Sequence, residues 1–181
     1  MKPLAAMTQP EIGAYVQSHL AKVGIEVVLS GGASVSVYSN GEYVSKDLDM
    51  VNVNSARRPA ITKAMNEIGF AEEGRHFIHP ESRFLVEFPP GPLAVGAEPV
   101  KSVQQITLST GSLRIVSPTD CVKDRLAHYF HWHDRQCLAQ AILVAQKHPI
   151  DLREVARWSK SEGMEDQFRQ IRAQIRPSTT R

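Results

Sequence analysis

The sequence predicts an α+β protein in which strands and helices mix over the first two thirds and only helices follow. Two observations carry this prediction: short β-branched or alternating segments recur before residue 117, and apolar residues at helical spacing dominate after it. Of the 181 residues, 42% are hydrophobic and 22% are charged, which excludes collagen-like and wholly disordered chains. We divide the chain into an α/β core over 1–116 and a C-terminal helical region over 117–181.

The mixed part begins with a predicted helix that is capped by Thr8 and Glu11 and ended by Gly24. β-branched residues then predict a buried strand over 25–29. Polar and apolar residues alternate over 47–53, which predicts a strand whose side chains point alternately to its two faces. The other elements predicted in this part are a short helix over 33–38, a helix over 58–69, a strand over 84–88 and a hairpin of 106–108 with 113–116.

The helical part is predicted to begin at Ser117, which is followed by a proline and an early acid. Asp151 is predicted to cap a helix over 152–161, and a last helix is predicted over 164–175. Trp132 and Trp158 are large enough to serve as anchors of the core, and we predict that role for both.

Composition restricts the function classes further. The formal net charge of +2 is too small to predict a nucleic-acid partner. No segment has the ~18 consecutive apolar residues of a membrane span, and the N-terminus lacks the apolar run of a signal peptide. Cys121 and Cys137 are best explained as buried thiols in a reducing compartment. We therefore expect a soluble cytoplasmic protein without a membrane partner.

A pair of glycines is the first feature that suggests chemistry. Gly31 and Gly32 follow a predicted strand and precede a predicted helix. Glycine lets the backbone approach a ligand closely, and the N–H groups at a helix start attract anions. The pair therefore suits a phosphate, although two glycines also occur in ordinary turns.

Three carboxylates are the second such feature. Asp47 and Asp49 lie two residues apart on a predicted strand, so their side chains share one face. Neighbouring carboxylates repel each other unless a cation lies between them, and oxygen ligands of this kind favour Mg²⁺. Glu87, flanked by apolar residues, is the candidate third carboxylate if its strand lies beside that of Asp47. The alternative is that all three acids lie on solvated strand faces.

Taken together, these segments resemble the nucleotidyltransferase superfamily, which includes DNA polymerase beta and the CCA-adding enzymes. The resemblance rests on Leu-Ser-Gly-Gly-Ala-Ser over 29–34, followed by Ser-Lys-Asp-Leu-Asp over 45–49. Within the superfamily these segments look most like those of the AbiEii-type toxins and related bacterial proteins. The resemblance implies a nucleotidyltransferase-like mixed sheet flanked by helices, followed by the helical region.

The resemblance also implies an activity. Members transfer a nucleotidyl group from a nucleoside triphosphate to a hydroxyl, with Mg²⁺ or Mn²⁺ as the cofactor. Asp47, Asp49 and Glu87 would be catalytic residues and metal ligands, and Glu87 would assist deprotonation of the acceptor. The acceptor would be an RNA, a protein or a small molecule, and the toxin branch adds an antitoxin-like partner protein.

For the triphosphate, the resemblance places Gly31, Gly32 and Ser34 near the phosphates. Toxin-branch proteins carry a lysine on a downstream helix, where this chain has Arg125. We predict that this arginine replaces the lysine as a phosphate contact, because a guanidinium holds phosphate with a planar fork.

Two alternative functions remain open at this point. A catalytically degenerate module of the same fold could bind a nucleotide or a partner protein without turnover. A metal protein could instead use Asp124, His128 and His131, which recur at helical spacing on one face. We favour a solvated helix face as the explanation of that trio.

Overall fold

The structure, a computed structural model, describes residues 2–175. Within this range the chain forms nine β-strands and seven α-helices. The strands are β1 (Val27–Ser30), β2 (Asp47–Asn52), β3 (Ala71–Glu73), β4 (His76–Ile78), β5 (Leu85–Glu87), β6 (Ala94–Val95), β7 (Glu98–Pro99), β8 (Val103–Leu108) and β9 (Gly111–Val116). The helices are α1 (Gln9–Lys22), α2 (Gly31–Tyr38), α3 (Arg58–Glu67), α4 (Pro118–Trp132), α5 (Arg135–Lys147), α6 (Leu152–Ser161) and α7 (Glu165–Ile171).

Seven strands form one mixed sheet in the order β3-β4-β5-β2-β1-β9-β8, and β6 pairs with β7 separately. β2 runs antiparallel to β1 and parallel to β5, while β9 runs parallel to β1. In this register Asp49 lies opposite Ser30 on β1 and opposite Glu87 on β5. The pairing of β2 with β5 therefore decides which acids become neighbours.

Helices cover both faces of the sheet. A Cβ added to Gly13 of α1 would lie 3.2 Å from the Leu48 side chain, so α1 packs on the Leu48 face of β2. Side chains alternate along a strand, so Asp47 and Asp49 point to the opposite face. Helix α2 packs on that face against β2 and also contacts α4 and α5. The predicted aspartates thus lie between the sheet and a helical layer.

The sequence explains why β1 and β2 are central. Val27, Val28 and Leu29 are consecutive and completely buried, as expected of a strand covered on both faces. The β1 strand ends at Ser30, because Gly31 adopts a positive φ of 62° that starts α2. Such a backbone conformation strongly favours glycine.

The C-terminal helices are fastened to the sheet through one hydrophobic core that draws on both halves of the chain. Lys123 of α4 is buried, and its Nζ donates to Asp120 at 2.9 Å and to Glu154 of α6 at 3.3 Å. Trp158 of α6 is completely buried, stacks on Phe130 and donates through Nε1 to a backbone carbonyl of β6. The predicted boundary at 116/117 falls between β9 and α4, and its status as a domain boundary stays a prediction.

Most elements predicted from the sequence are confirmed to within a few residues. Thr8 N–H donates to the Glu11 carboxylate at 2.8 Å, as the predicted cap requires, and the hydroxyl of Ser117 and a carboxylate oxygen of Asp151 cap α4 and α6. The last helix is shorter than expected and ends at Ile171. Strands β3, β4, β6 and β7 were not predicted, because segments of two or three residues are too short to show a period of two.

The structure corrects one prediction about the core. Trp158 is buried as expected, but Trp132 is 76% exposed. Phe130, two residues earlier, is buried against Trp158, and residues two apart on a helix point about 200° apart, so Trp132 faces away from the core. Cys121 and Cys137 are both buried free thiols, as predicted. Among residues 2–175, no helix is long and apolar enough to cross a membrane.

The burial of β1 leads to a stability prediction. We expect Leu29→Ala to lower the free energy of unfolding by about 3 kcal/mol, because it leaves a cavity beside the centre of the sheet. Val23→Ala is the control, since Val23 is 52% exposed and its truncation should change stability by less than ~0.5 kcal/mol. Urea unfolding of both variants measures the difference, and equal midpoints would contradict the central position of β1.

Candidate functional site

Two neighbouring strands bring the three predicted carboxylates to one face of the sheet. Asp47 and Asp49 are at alternate positions of β2, and β5 runs parallel beside it with Glu87 opposite Asp49. The condition on which the sequence argument depended, that the strand of Glu87 lies beside that of Asp47, is met. Three acids therefore share a small area of the sheet.

The charges in this cluster act on one another. Burial, and then the charges of Glu87 and Asp47, raise the pKa of Asp49 from its ordinary value of 3.8 to about 6. Asp124 acts in the same direction, whereas the positive charge of Arg125 opposes the shift. The cluster thus carries negative charge that this part of the protein only partly compensates.

Gly31 fits tightly against one of these acids. A Cβ built on Gly31 would lie 2.1 Å from Oδ2 of Asp49, far inside a van der Waals contact. The same residue begins α2, and the side chain of the N-cap residue Ser30 makes no capping hydrogen bond. The N-terminus of α2, where backbone N–H groups favour an anion, therefore adjoins the carboxylates.

Gly32 of α2 packs against Ser45, the residue that lies two positions before β2. A Cβ on Gly32 would lie 3.2 Å from the Ser45 hydroxyl, so the loop packs directly on the glycine. Ser45 N–H donates to the hydroxyl of Ser36 at 2.9 Å, and the Ser45 hydroxyl accepts from Asp47 N–H at 3.3 Å. The serine that precedes the two aspartates thus holds their strand against α2.

Ser34 has an internal position in the structure. It is completely buried, and its hydroxyl donates to the carbonyl of Gly31 at 2.7 Å. The Cys121 sulfur lies 3.1 Å from the same hydroxyl. Burial raises the pKa of the Cys121 thiol to about 12, so the thiol keeps its proton and can donate to the serine. The hydroxyl of Ser34 therefore stabilises the start of α2 from inside rather than facing an open cleft.

Arg125 lies beside the cluster but is largely engaged with protein groups. Its guanidinium makes four hydrogen bonds, two to Asp124 of the same helix and two to Gln140 and Cys137 of α5. A guanidinium has only five N–H donors. Arg125 therefore brings positive charge close to Asp49, while Asp124 engages its Nε and Nη2 within α4 and its Nη1 joins α4 to α5.

A cleft with a volume of about 280 Å³ opens beside Asp49, and the lining of this cleft includes neither Asp47 nor Glu87. Its polar side includes Gly31, Asp49, Asp124, Arg125 and the exposed His128. Its other side is formed by a proline-rich segment after β5 and by Val51. A cleft with one polar and one apolar wall is typical of small-molecule sites. A separate cavity of about 790 Å³, lined mainly by apolar side chains of α1, α2 and β8, lies apart from the predicted site residues.

Sequence reasoning did not anticipate the neighbours of Glu87. Oε2 of Glu87 lies 3.4 Å from Nε of Arg75 and 3.6 Å from Nε2 of His76. His76 stands directly opposite Glu87 where β4 pairs with β5. The sequence offered no signal for this contact, because the three-residue β4 strand is too short to be predicted and the cross-strand partner follows only from the pairing.

The donor types suit a hard divalent cation, since the three acids offer only oxygen. Among residues 2–175, no three or more His, Cys, Asp or Glu side chains are arranged to hold a metal ion by themselves. This statement covers both sets that the sequence suggested: Asp47, Asp49 and Glu87 are not arranged as three ligands of one ion, and neither are Asp124, His128 and His131. Mg²⁺ commonly uses only one or two carboxylates and takes its other ligands from water and substrate phosphates. The aspartate pair fits that mode of binding.

The contact between Gly31 and Asp49 can be tested by mutation. Gly31→Ala should lower the free energy of unfolding by about 3 kcal/mol, because it combines a positive φ with a clash. Gly74→Ala is the matched control, since Gly74 has a φ of 61° and open space around its Cβ position. The control should lose only ~1 kcal/mol. If urea unfolding shows that both variants lose the same free energy of unfolding, the Asp49 side chain moves aside without cost.

The raised pKa of Asp49 predicts a dependence of stability on pH. Between about pH 4 and about pH 6 the folded state keeps a proton that the unfolded chain has lost, so ionisation of Asp49 reduces stability as the pH rises. Asp49→Asn should therefore be more stable than the wild type by ~2 kcal/mol at neutral pH and nearly equal to it near pH 4.

Urea unfolding of both proteins in EDTA, across this range, measures the effect. The difference between the two curves isolates Asp49, because acids such as Glu11 titrate in both. If the free energies of unfolding of the two proteins change with pH in the same way, the pKa of Asp49 is not raised by burial and by the neighbouring acids.

Comparison with known proteins supports the fold. No protein-family model matches the chain, and no curated protein matches it. An antigenic nucleotidyltransferase-like protein from Paracoccidioides brasiliensis superposes with a TM-score of 0.66 at 10% identity, covering 96% of this chain and 94% of that one. The complex of ANT(2")-Ia with adenylyl-2"-tobramycin superposes with a TM-score of 0.48 at 15% identity, covering 86% of this chain and 94% of that one. The solution structure of ANT(2")-Ia superposes with a TM-score of 0.48 at 14% identity, covering 88% of this chain and 90% of that one. The chain has the mixed sheet and flanking helices of a nucleotidyltransferase-like fold.

Proposed function

We propose that this protein is a Mg²⁺-dependent nucleotidyltransferase that moves a nucleotidyl group from a nucleoside triphosphate to a hydroxyl. One observation carries the proposal: Asp47, Asp49 and Glu87 share one face of the sheet, directly beside the N-terminus of α2. A group of acids that needs a cation and a helix start that favours an anion are the two halves of a site for a metal-bound phosphate. The fold is consistent with this activity but does not by itself imply it.

In this proposal the triphosphate lies at the start of α2. The backbone N–H groups of Gly31 and Gly32 donate to phosphate oxygens, and the two glycines have no side chains of their own to hinder the approach. Arg125 adds positive charge from the same polar side of the cleft. Asp47 and Asp49 hold Mg²⁺ or Mn²⁺, with Glu87 as the third carboxylate, and the bound cation neutralises charge on the phosphates.

The transfer itself needs little covalent chemistry from the protein. The acceptor oxygen forms a bond to the α-phosphorus as the bond to pyrophosphate breaks, and pyrophosphate leaves with the electron pair. Glu87 accepts the proton of the acceptor hydroxyl. Catalysis then depends mostly on holding the two reactants in line and on stabilising charge.

The acceptor is proposed only as a class. The resemblance to AbiEii-type toxins favours an RNA or a protein acceptor and an antitoxin-like partner, and a small-molecule acceptor is the alternative.

A second candidate is a nucleotide-binding module of the same fold without turnover. Two observations favour it. The guanidinium of Arg125 already makes four hydrogen bonds to other protein groups, and Arg75 and His76 lie beside the Glu87 carboxylate. If these contacts persist when a nucleotide binds, Glu87 is less available as a proton acceptor.

Calorimetry with each nucleoside triphosphate, with and without Mg²⁺, tests the proposed site. We expect Mg²⁺-dependent binding that Asp47→Asn/Asp49→Asn weakens at least tenfold, because the variant loses both charges that hold the cation. Glu73→Gln is the matched control, since it removes an exposed carboxylate from β3 of the same sheet and should bind like the wild type.

The two candidates differ in a second measurement. Incubation with triphosphate labelled at the α-phosphate, together with cell RNA and protein, should transfer the label and release pyrophosphate if the protein is an enzyme. Binding without transfer, unchanged by Glu87→Gln, would favour the module. Absence of Mg²⁺-dependent binding to any triphosphate would overturn both candidates.

A further inference from the structure

Trp132 is the feature that neither the core nor the carboxylate site explains. Its side chain is 76% exposed, whereas Trp158 has no exposed surface. A single exposed apolar side chain is common, but tryptophan is enriched at interfaces because its large ring gains much when it is covered. The residues on either side, His131 and His133, are exposed as well.

The position of Trp132 on α4 relates it to the cleft. Asp124, His128 and Trp132 are spaced at four-residue intervals, so successive members are rotated by only about 40° and share one face of the helix. Asp124 and His128 line the cleft beside Asp49. The backbone of Trp132 lies one turn farther, roughly 6 Å beyond His128 along the helix axis. Trp132 is not itself part of the cleft lining, but it is the next residue, after His128, on the side of α4 that lines the cleft.

The chain after this residue leaves the indole uncovered. α4 ends at Trp132, and His133 adopts a left-handed conformation with a φ of 54° that turns the chain towards α5. The next residues, Asp134 and Arg135, are also exposed. One face of an exposed ring thus continues the line of residues that forms the cleft wall.

We infer that Trp132 stacks on the base of the nucleoside triphosphate whose phosphates bind at Gly31. This inference rests on the proposed function and adds the residue that contacts the base. The charges match such a ligand: the α2 N-terminus and Arg125 are at one end, and a neutral planar ring is at the other. An indole stacks on any base, because every base has a π face. The contact therefore favours nucleotides over other phosphates without selecting one base.

The two tryptophans make a direct test available. Acrylamide quenching of fluorescence reports Trp132 almost alone, because Trp158 is completely buried. In Mg²⁺ buffer, saturating nucleoside triphosphate should protect Trp132 from acrylamide, whereas inorganic tripolyphosphate should bind without protecting it. The tripolyphosphate arm separates the phosphate end of the site from the base end.

Variants then measure the contribution of the ring. Trp132→Leu should weaken triphosphate binding roughly tenfold and leave tripolyphosphate binding unchanged, because only the base loses a contact. Trp132→Phe keeps an aromatic face and should restore most of the affinity. Val44→Ala, which trims an exposed apolar side chain of the other cavity, is the control and should bind like the wild type.

Each outcome decides the inference. Mg²⁺-dependent nucleotide binding that leaves Trp132 open to acrylamide, with an unchanged affinity in Trp132→Leu, overturns base stacking and leaves the proposed function intact. Equal weakening of nucleotide and tripolyphosphate by Trp132→Leu also overturns it, because the ring would then support the fold of the site. If neither ligand binds, the proposed function and this inference fail together.

Discussion

The packing of the Asp49 carboxylate on Gly31 is the contact on which the candidate site depends. The contact is close enough to exclude even a methyl group at Gly31. It brings the end of β1, the start of α2 and the middle of β2 to one point, and the adjacent β5 strand adds Glu87. A helix N-terminus and a set of acids become neighbours because no side chain separates them.

This arrangement costs stability. Burial raises the pKa of Asp49, and the like charges of Glu87 and Asp47 add to the effect. The structure compensates for part of the charge with Arg125 near Asp49 and with Arg75 beside Glu87. Carboxyl groups with strongly shifted pKa values are concentrated at functional sites, which is why this cluster is the candidate site.

Helix α4 connects this cluster to the rest of the molecule. Its buried face carries Cys121 against Ser34 and Lys123 against α6, while its open face carries Asp124, His128 and Trp132. The same helix therefore supports the start of α2 from inside and forms one wall of the cleft. Any change in how α4 packs would alter both the position of α2 and the shape of the cleft.

Local signals in the sequence predicted most of the longer helices and strands and the acids of the candidate site. Apolar periodicity, Thr8, Ser117 and Asp151 as caps, and the alternation around Asp47 and Asp49 are local signals, because each depends on residues within one or two turns. Tertiary structure alone decided that β5 lies beside β2, that His76 faces Glu87, that the donors of Arg125 are mostly taken by Asp124 and α5, and that Trp132 lies outside the core. These facts depend on strand pairing and helix packing between residues far apart in the chain, and no local pattern encodes a partner at such a distance.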